Sequence, residues 1–220
     1  MKVVAINGSP RGAASNTAVM TGSLLDGFAS NGDSVADILL SEKDIHYCSG
    51  CYSCWSEKPG VCIHKDDMKE ILAQILDANV LIIGSPLYFN NISGTLKVFF
   101  DRLTAGGGNP RDKTGSSTTR AAPRFVMVSN CGYPNRNQFD IVSLWINRVA
   151  AMMGYAVAAE LYTTTGKALT APTQEQRRAR TNYLEYLKGC GRCISRNMEL
   201  DAPHAALAQR NILDFSSPGL

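Results

Sequence analysis

No run of the sequence is long and apolar enough to span a membrane, and neither sign of charge dominates it. The chain has 22 Lys and Arg against 19 Asp and Glu, a net charge of +3. That balance argues against a nucleic-acid face or a membrane-binding surface. The opening stretch MKVVAINGSP has only a short apolar run before Asn7 and Gly8, too short for the core of a signal peptide. A cytoplasmic chain is the expectation. There is no Ser-His-Asp set and no pair of carboxylates at an informative spacing, which leaves little basis for hydrolytic acid–base chemistry.

What is present reads as one ordinary globular domain: 220 residues, 45% hydrophobic and 19% charged. Short β-branched runs alternate with helical periodicity. KVVAI (2–6), SVADILL (34–40), NVLIIGSP (79–86), RFVMVSN (124–130) and YAVAAELY (155–162) read as strands. Helices are predicted over 15–30, 66–76, about 92–103, 138–153 and about 173–188. The clearest is DDMKEILAQIL, where Met68, Ile71, Leu72, Ile75 and Leu76 share one face and Asp66 or Asp67 can cap the start, with Glu70 completing a capping box. AGGGNPRDKTGSSTTRAAP (105–123) reads as a mobile loop. Five βα units with near-continuous apolar strands imply an α/β doubly wound, three-layer sandwich around a five-stranded parallel sheet. We read residues 1–190 as this domain, with a cysteine-rich insert at 47–63, and 191–220 as an irregular tail.

Ligands of such sheets sit beyond the carboxyl ends of the strands. Three turns there carry unusual residues. NGSPRGAASNT (7–17) combines the hydroxyls of Ser9, Ser15 and Thr17, the amide of Asn16 and the guanidinium of Arg11 before a helix start, which suits a phosphate. It matches neither the dinucleotide fingerprint nor the Walker loop. GSPLYFNN (84–91) places Leu87, Tyr88 and Phe89 where a loop is normally polar. SNCGYPNRN (129–137) offers Asn130, Cys131, Gly132 and Tyr133.

Together, INGSPR…SNT, GSPLYFNNISGTLKVFFDR (84–102) and SNCGY resemble the flavodoxin-like NADPH-dependent FMN reductases over residues 1–165. The resemblance implies FMN, with Ser9, Arg11, Ser15, Asn16 and Thr17 around the phosphate. Pro86, Leu87, Tyr88, Phe89 and Asn90 would line the isoalloxazine ring, and Asn130, Cys131 and Gly132 would cover its other edge. No catalytic side chain is expected, because the chemistry is the flavin's. NAD(P)H is implied as a substrate that stacks on the flavin without a fingerprint of its own.

CSGCYSCWSEKPGVC (48–62) places Cys48, Cys51, Cys54 and Cys62 in the spacing C-x₂-C-x₂-C-x₇-C. In a reducing compartment, and with seven cysteines in all, disulfides are disfavoured. Structural zinc more often joins two C-x₂-C pairs, and the ferredoxin run closes with a shorter spacer followed by proline, so zinc, redox thiols, an iron–sulfur nest and packing-only cysteines all remain open. Gly50 and Gly60 let the backbone wrap, and Tyr52 and Trp55 can shield what it wraps. The run and its place before the DDM helix are similar to the iron–sulfur flavoprotein branch of the same family. That likeness implies a 4Fe–4S cluster on these four residues, exchanging electrons with FMN. The three glycines at 106–108 and the CGRC pair (Cys190, Cys193) depart from the pattern. Cys190 and Cys193 read as surface thiols at a helix end, His46 and His64 as solvated loop residues, and Asp101 and Arg102 as capping or pairing groups.

The expected function is an FMN-dependent oxidoreductase and electron-transfer protein with a cluster near the flavin. The alternatives are an NAD(P)H-dependent FMN or quinone reductase without a cluster, and a zinc-stapled, non-catalytic binding module. The implied partners are further copies of the chain in a dimer or tetramer, a ferredoxin-type donor and a small-molecule acceptor, with no nucleic acid and no membrane.

Overall fold

The computed structural model describes residues 1–106 and 122–216, so most of the loop expected at 105–123 lies outside the described residues. Five strands form the sheet: β1 (Lys2–Asn7), β2 (Ser34–Leu39), β3 (Val80–Pro86), β4 (Arg124–Asn130) and β5 (Ala156–Thr163). They are all parallel, in the order β2-β1-β3-β4-β5. This is the flavodoxin-like winding, whose strand order reverses between β1 and β3 and leaves a crevice there.

Side chains alternate across the sheet with the period of two that a strand imposes. Val3, Ala5, Val80, Ile82, Val126 and Val128 pack towards α1 (Asn16–Ala29) and α6 (Gln176–Asn197). Val4, Ile6, Leu81, Ile83, Phe125 and Met127 pack towards α2 (Met68–Leu76), α3 (Gly94–Arg102) and α4 (Asp140–Met153). Short helices α5 (Lys167–Thr170) and α7 (Ala202–Leu207) follow β5 and α6. The strands begin and end within one residue of their sequence positions, and α1 to α4 within two. The helix α2 does not use the expected capping box: Asp67 makes no side-chain cap, and its carboxylate instead accepts from Asp44 N at 2.9 Å. Asp66 accepts from Met68 N at 3.2 Å.

The largest departure is at the C-terminal end. The last helix does not stop near residue 188 but continues to Asn197. Cys190 and Cys193 are therefore buried in a helix and are not surface thiols. Burial pushes the Cys190 thiol up to about 12. The helix continues because α6 crosses α1 at Gly27 and Gly191. A Cβ on Gly191 would lie 2.2 Å from Leu24 O, and one on Gly27 would lie 2.1 Å from Lys188 O. Beyond residue 197, which the sequence left as irregular tail, Asp201 caps α7 and a 3₁₀ turn (Ile212–Ser216) buries Ile212 and Phe215, the latter against Tyr183 and Tyr186.

Candidate functional site

Three turns meet at the β1/β3 crevice. In the first, Asn7 Oδ1 accepts from Ser9 N at 2.9 Å, and Ser9 Oγ accepts from Arg11 N at 3.3 Å. Gly8 is held against the start of α3: its carbonyl accepts from Ser93 Oγ at 2.6 Å, and a Cβ there would lie 2.5 Å from Leu96 Cβ. Ser15 is the N-cap of α1, accepting from Ala18 N and donating to Gly12 O, so its hydroxyl is engaged locally. The first intrahelical bond runs from Val19 N to Ser15 O, which leaves the N–H groups of Asn16 and Thr17 among the free donors of the helix end. Thr17 is buried, and Asn130 Nδ2 donates to its hydroxyl at 3.1 Å. Asn16 Oδ1 accepts from Thr170 Oγ1 at 2.7 Å. Arg11 is exposed and donates to Ala14 O.

In the second turn, Tyr88 and Asn91 exchange backbone hydrogen bonds of 2.9 and 3.0 Å. The two residues between them, Phe89 and Asn90, have φ of 49° and 58°. Positive φ at both corners defines a type I′ turn, which Asn tolerates and Phe does not favour. The turn holds the Phe89 ring wholly in solvent, with Tyr88 exposed beside it, while Pro86 and Leu87 are half-buried. In the third turn Cys131 is buried, which raises its pKa, and Gly132 and Tyr133 are exposed. Gly166, which the sequence reading did not single out, closes the site from the β5 side. It donates to Cys131 O at 2.8 Å, and a Cβ there would lie 2.9 Å from Asn130 Oδ1.

The cysteine loop leaves β2 and returns to α2. Cys48, Cys51, Cys54 and Cys62 all line one cavity of about 90 Å³, together with Tyr52, Ile63, His64 and Thr104. Left-handed backbone at Tyr52 (φ 56°), Gly50 (67°) and Gly60 (80°) makes the wrap. Cys54 is buried, and its pKa is raised by that burial and by the proximity of Cys62, Cys51 and Cys48. The exposed Cys51 is lowered by hydrogen bonds from Ser53 N–H and then from Ser49. Trp55 Nε1 donates to Thr104 O at 3.0 Å and pins the loop to the end of α3.

The neck of the loop is closed by a pair that the sequence does not reveal. Arg102 and Asp66 each have side chains only 1% exposed. Arg102 Nη1 lies 2.5 Å from Asp66 Oδ2 and Nη2 lies 3.0 Å from Oδ1, while Nη1 also donates to His46 O at 2.8 Å. Burial opposes the Asp66 charge, but hydrogen bonds from Arg102 and His46 N–H outweigh it and hold the carboxyl far below its ordinary range. Asp101 instead makes a surface pair with Lys97. His46 and His64 stack at 5.3 Å, and His64 Nε2 is buried without a partner, so this histidine is not simply solvated.

Two other features lie elsewhere. A cleft of about 610 Å³ runs outside β5 between α4 and α7. Within it Glu160 accepts from Asn147 and Tyr162, and Arg136 donates to Ala208 O. Cys193, Asp201 and His204 lie near one another, but Asp201 Oδ1 is satisfied by the His204 N–H and ring as a helix cap. The convergent free donors and exposed rings are at the β1/β3 crevice. Among the described residues, no helix is long and apolar enough to cross a membrane.

A protein-family model for NADPH-dependent FMN reductase matches residues 1–129. An iron-sulfur flavoprotein of Archaeoglobus fulgidus is 32% identical over 159 residues, covering 71% of this chain and 68% of that one. Iron-sulfur flavoprotein MJ1083 of Methanocaldococcus jannaschii is 36% identical over 126 residues, covering 56% of this chain and 64% of that one. Among solved structures, an FMN-dependent NADH-azoreductase from Bacillus anthracis in complex with FMN superposes with a TM-score of 0.59 at 17% identity, covering 86% of this chain and 97% of that one, which speaks for the fold alone. The turn motifs, the 2-1-3-4-5 sheet and these likenesses agree, and the chain belongs to the NADPH-dependent FMN reductase family of flavodoxin-like oxidoreductases, in its iron–sulfur flavoprotein branch.

Proposed function

We propose that the chain binds FMN at the β1/β3 crevice and an iron–sulfur centre in the cysteine loop, and acts as an FMN-dependent electron-transfer oxidoreductase. FMN, when bound, supplies hydride and single-electron chemistry, and a 4Fe–4S centre supplies electrons one at a time. The protein's own task is to bind, orient and insulate them.

For the phosphate, the free amides of Asn16 and Thr17, the Ser9 hydroxyl and the Arg11 guanidinium are the donors. Ser15 acts by capping α1, and Thr17 by anchoring to Asn130. The ring lies between the turn of Pro86, Leu87, Tyr88, Phe89 and Asn90 and the turn of Asn130, Cys131 and Gly132. NAD(P)H, or a one-electron donor of the ferredoxin type, delivers electrons from the open side, and a small molecule takes them. The solvent-facing Phe89 supports a homo-oligomer in which a second copy covers that ring.

The observation that carries the reading is the convergence of all four loop cysteines on one cavity. A single tetrahedral zinc needs sulfurs about 3.8 Å apart, as follows from Zn–S bonds near 2.3 Å. Among the described residues, Cys193, Asp201 and His204 form the group whose ligand atoms all lie within 4.8 Å, and the loop cysteines are not in it.

The test is anaerobic purification, followed by iron, zinc, acid-labile sulfide and FMN per chain and the visible spectrum. About four iron and four sulfide per FMN are expected for the 4Fe–4S type. FMN without iron would reduce the reading to a plain flavin reductase, and zinc without FMN to a stapled binding module.

A further inference from the structure

We propose that Arg102 sets the reduction potential of the centre held by Cys48, Cys51, Cys54 and Cys62, by keeping a permanent positive charge at the closed neck of the loop. The inference rests on the cluster reading above.

The groups of the neck are not evenly satisfied. Asp66 is covered on every side: it accepts from both Nη atoms of Arg102, from His46 N at 3.0 Å and from Met68 N at 3.2 Å. Arg102 is not. Its Nε is buried with no hydrogen-bond partner. Besides Asp66, the guanidinium holds His46 O at 2.8 Å, two residues before Cys48, and the Cys62 thiol adds to the electrostatic support of its charge. The pair is thus a buried dipole at the neck of the cysteine loop, whose negative end is offset by further N–H donors while its positive end keeps an unpaired N–H.

Reduction adds one electron, and so one negative charge, to a centre that already carries four thiolates. A buried cation at the neck of the loop, out of water, favours the reduced form and raises the potential, because the field is weakly screened there. The other charges of the loop are Glu57, Lys58 and Lys65, and all three are exposed, where solvent and salt screen them. Arg102 and Asp66, each 1% exposed, are the buried charges of the neck, and it is the Asp66 charge that further N–H donors offset. Arginine also suits the task because it stays protonated, so the electron arrives without a coupled proton at this group. The same side chain fixes its own distance from the centre, since it holds His46 O before Cys48 and Asp66 after Cys62.

The test is a dithionite titration of the anaerobic holoprotein with mediator dyes, in which dithionite is oxidised to sulfite and each centre takes one electron. It is run on the wild type, Arg102→Gln, Arg102→Lys and Asp66→Asn, with iron and sulfide counted in each. At unchanged iron content the midpoint should fall in Arg102→Gln, rise in Asp66→Asn and stay near the wild type in Arg102→Lys. A purely structural role would admit water in both charge variants and move their midpoints in the same direction, which overturns the proposal. Should Arg102→Gln lose its iron, the rise in Asp66→Asn and the constancy of Arg102→Lys decide. A wild type without iron is a different failure: it removes the cluster reading itself, and the inference with it.

Discussion

Asn130 donates a 3.1 Å hydrogen bond to the buried hydroxyl of Thr17, joining the turn after β4 to the first turn of α1. The two residues are 113 positions apart, yet the bond makes the first and third turns of the crevice a single unit. Thr17→Val keeps the shape and removes the acceptor, leaving a buried amide unpaired at a cost of about 1–3 kcal/mol. The expected outcome is a lower unfolding midpoint together with weaker FMN binding, read by denaturation and by fluorescence titration. Weaker binding at full stability would show that Thr17 acts on the flavin alone.

Asn16→Ala should weaken FMN binding with a smaller change in stability, because Asn16 is half-buried and its recorded side-chain bond is to the exposed Thr170. A charge-assisted phosphate contact is worth about 1.5–3 kcal/mol. Unchanged FMN affinity would refute a phosphate contact from the Asn16 side chain and leave only its backbone N–H, which alanine keeps.

Phe89 occupies a left-handed corner that costs a non-glycine residue roughly 1–2 kcal/mol. Phe89→Gly should therefore stabilise the isolated chain by about 1 kcal/mol against urea, from the relief of that strain alone. It should also loosen flavin binding or self-association, measured by FMN titration and sedimentation. A gain in stability with no loss in either would leave the exposed ring without a role.

Asp66 provides a pH signature. Its carboxyl is held below the ordinary value of 3.8, so its ionised form favours the folded state. That contribution is complete above the unfolded pKa of about 3.9 and is lost as pH falls through the lower folded value. His46, with Nδ1 3.4 Å from Asp66 Oδ2, and Arg102 are the other charged groups facing it. Acid titration of Asp66→Asn should show a shallower loss of stability below about pH 4 than the wild type does. Parallel curves would mean that the pair contributes no pH-linked stability.

Gly27→Ala or Gly191→Ala should cost at least the 1–3 kcal/mol typical of overpacking, because each new Cβ meets backbone and not a movable side chain. Chemical denaturation of the two single variants measures it. Wild-type stability in either would mean that α1 and α6 separate freely at that point.

The sheet was legible in the sequence because its strands are buried on both faces and read as short β-branched runs between amphipathic helices. The C-terminal end was not. The stretch Gly189-Cys190-Gly191 looks like a helix stop, since glycine there usually ends a helix. In this chain Gly191 is needed for the close approach to Gly27, and the packing overrides the local preference. Ser15 drew attention as a phosphate contact, and its type was right for what it does, but an N-cap and an anion contact call for the same hydroxyl. The four cysteines were visible as a run, whereas the Arg102–Asp66 closure joins residues 36 positions apart and no local pattern announces it. Phe89 was noticed for its ring, while the turn that turns that ring outward depends on backbone angles the sequence does not display.

Among the described residues, the cysteine loop is hydrogen-bonded to the rest of the molecule at few points: the Arg102–Asp66 closure, the Trp55–Thr104 bond and the paired backbones of Asp44 and Asp67. None of these lies in the sheet, and Asp44 and Asp67 are already brought together by two hydrogen bonds, from Asp67 N to Asp44 O and from Asp44 N to Asp67 Oδ2. The loop is therefore a cassette. A short turn spliced between residues 46 and 64 would leave all five strands in register, so whatever the four cysteines hold can be gained or shed by insertion or excision at one seam, without redrawing the core.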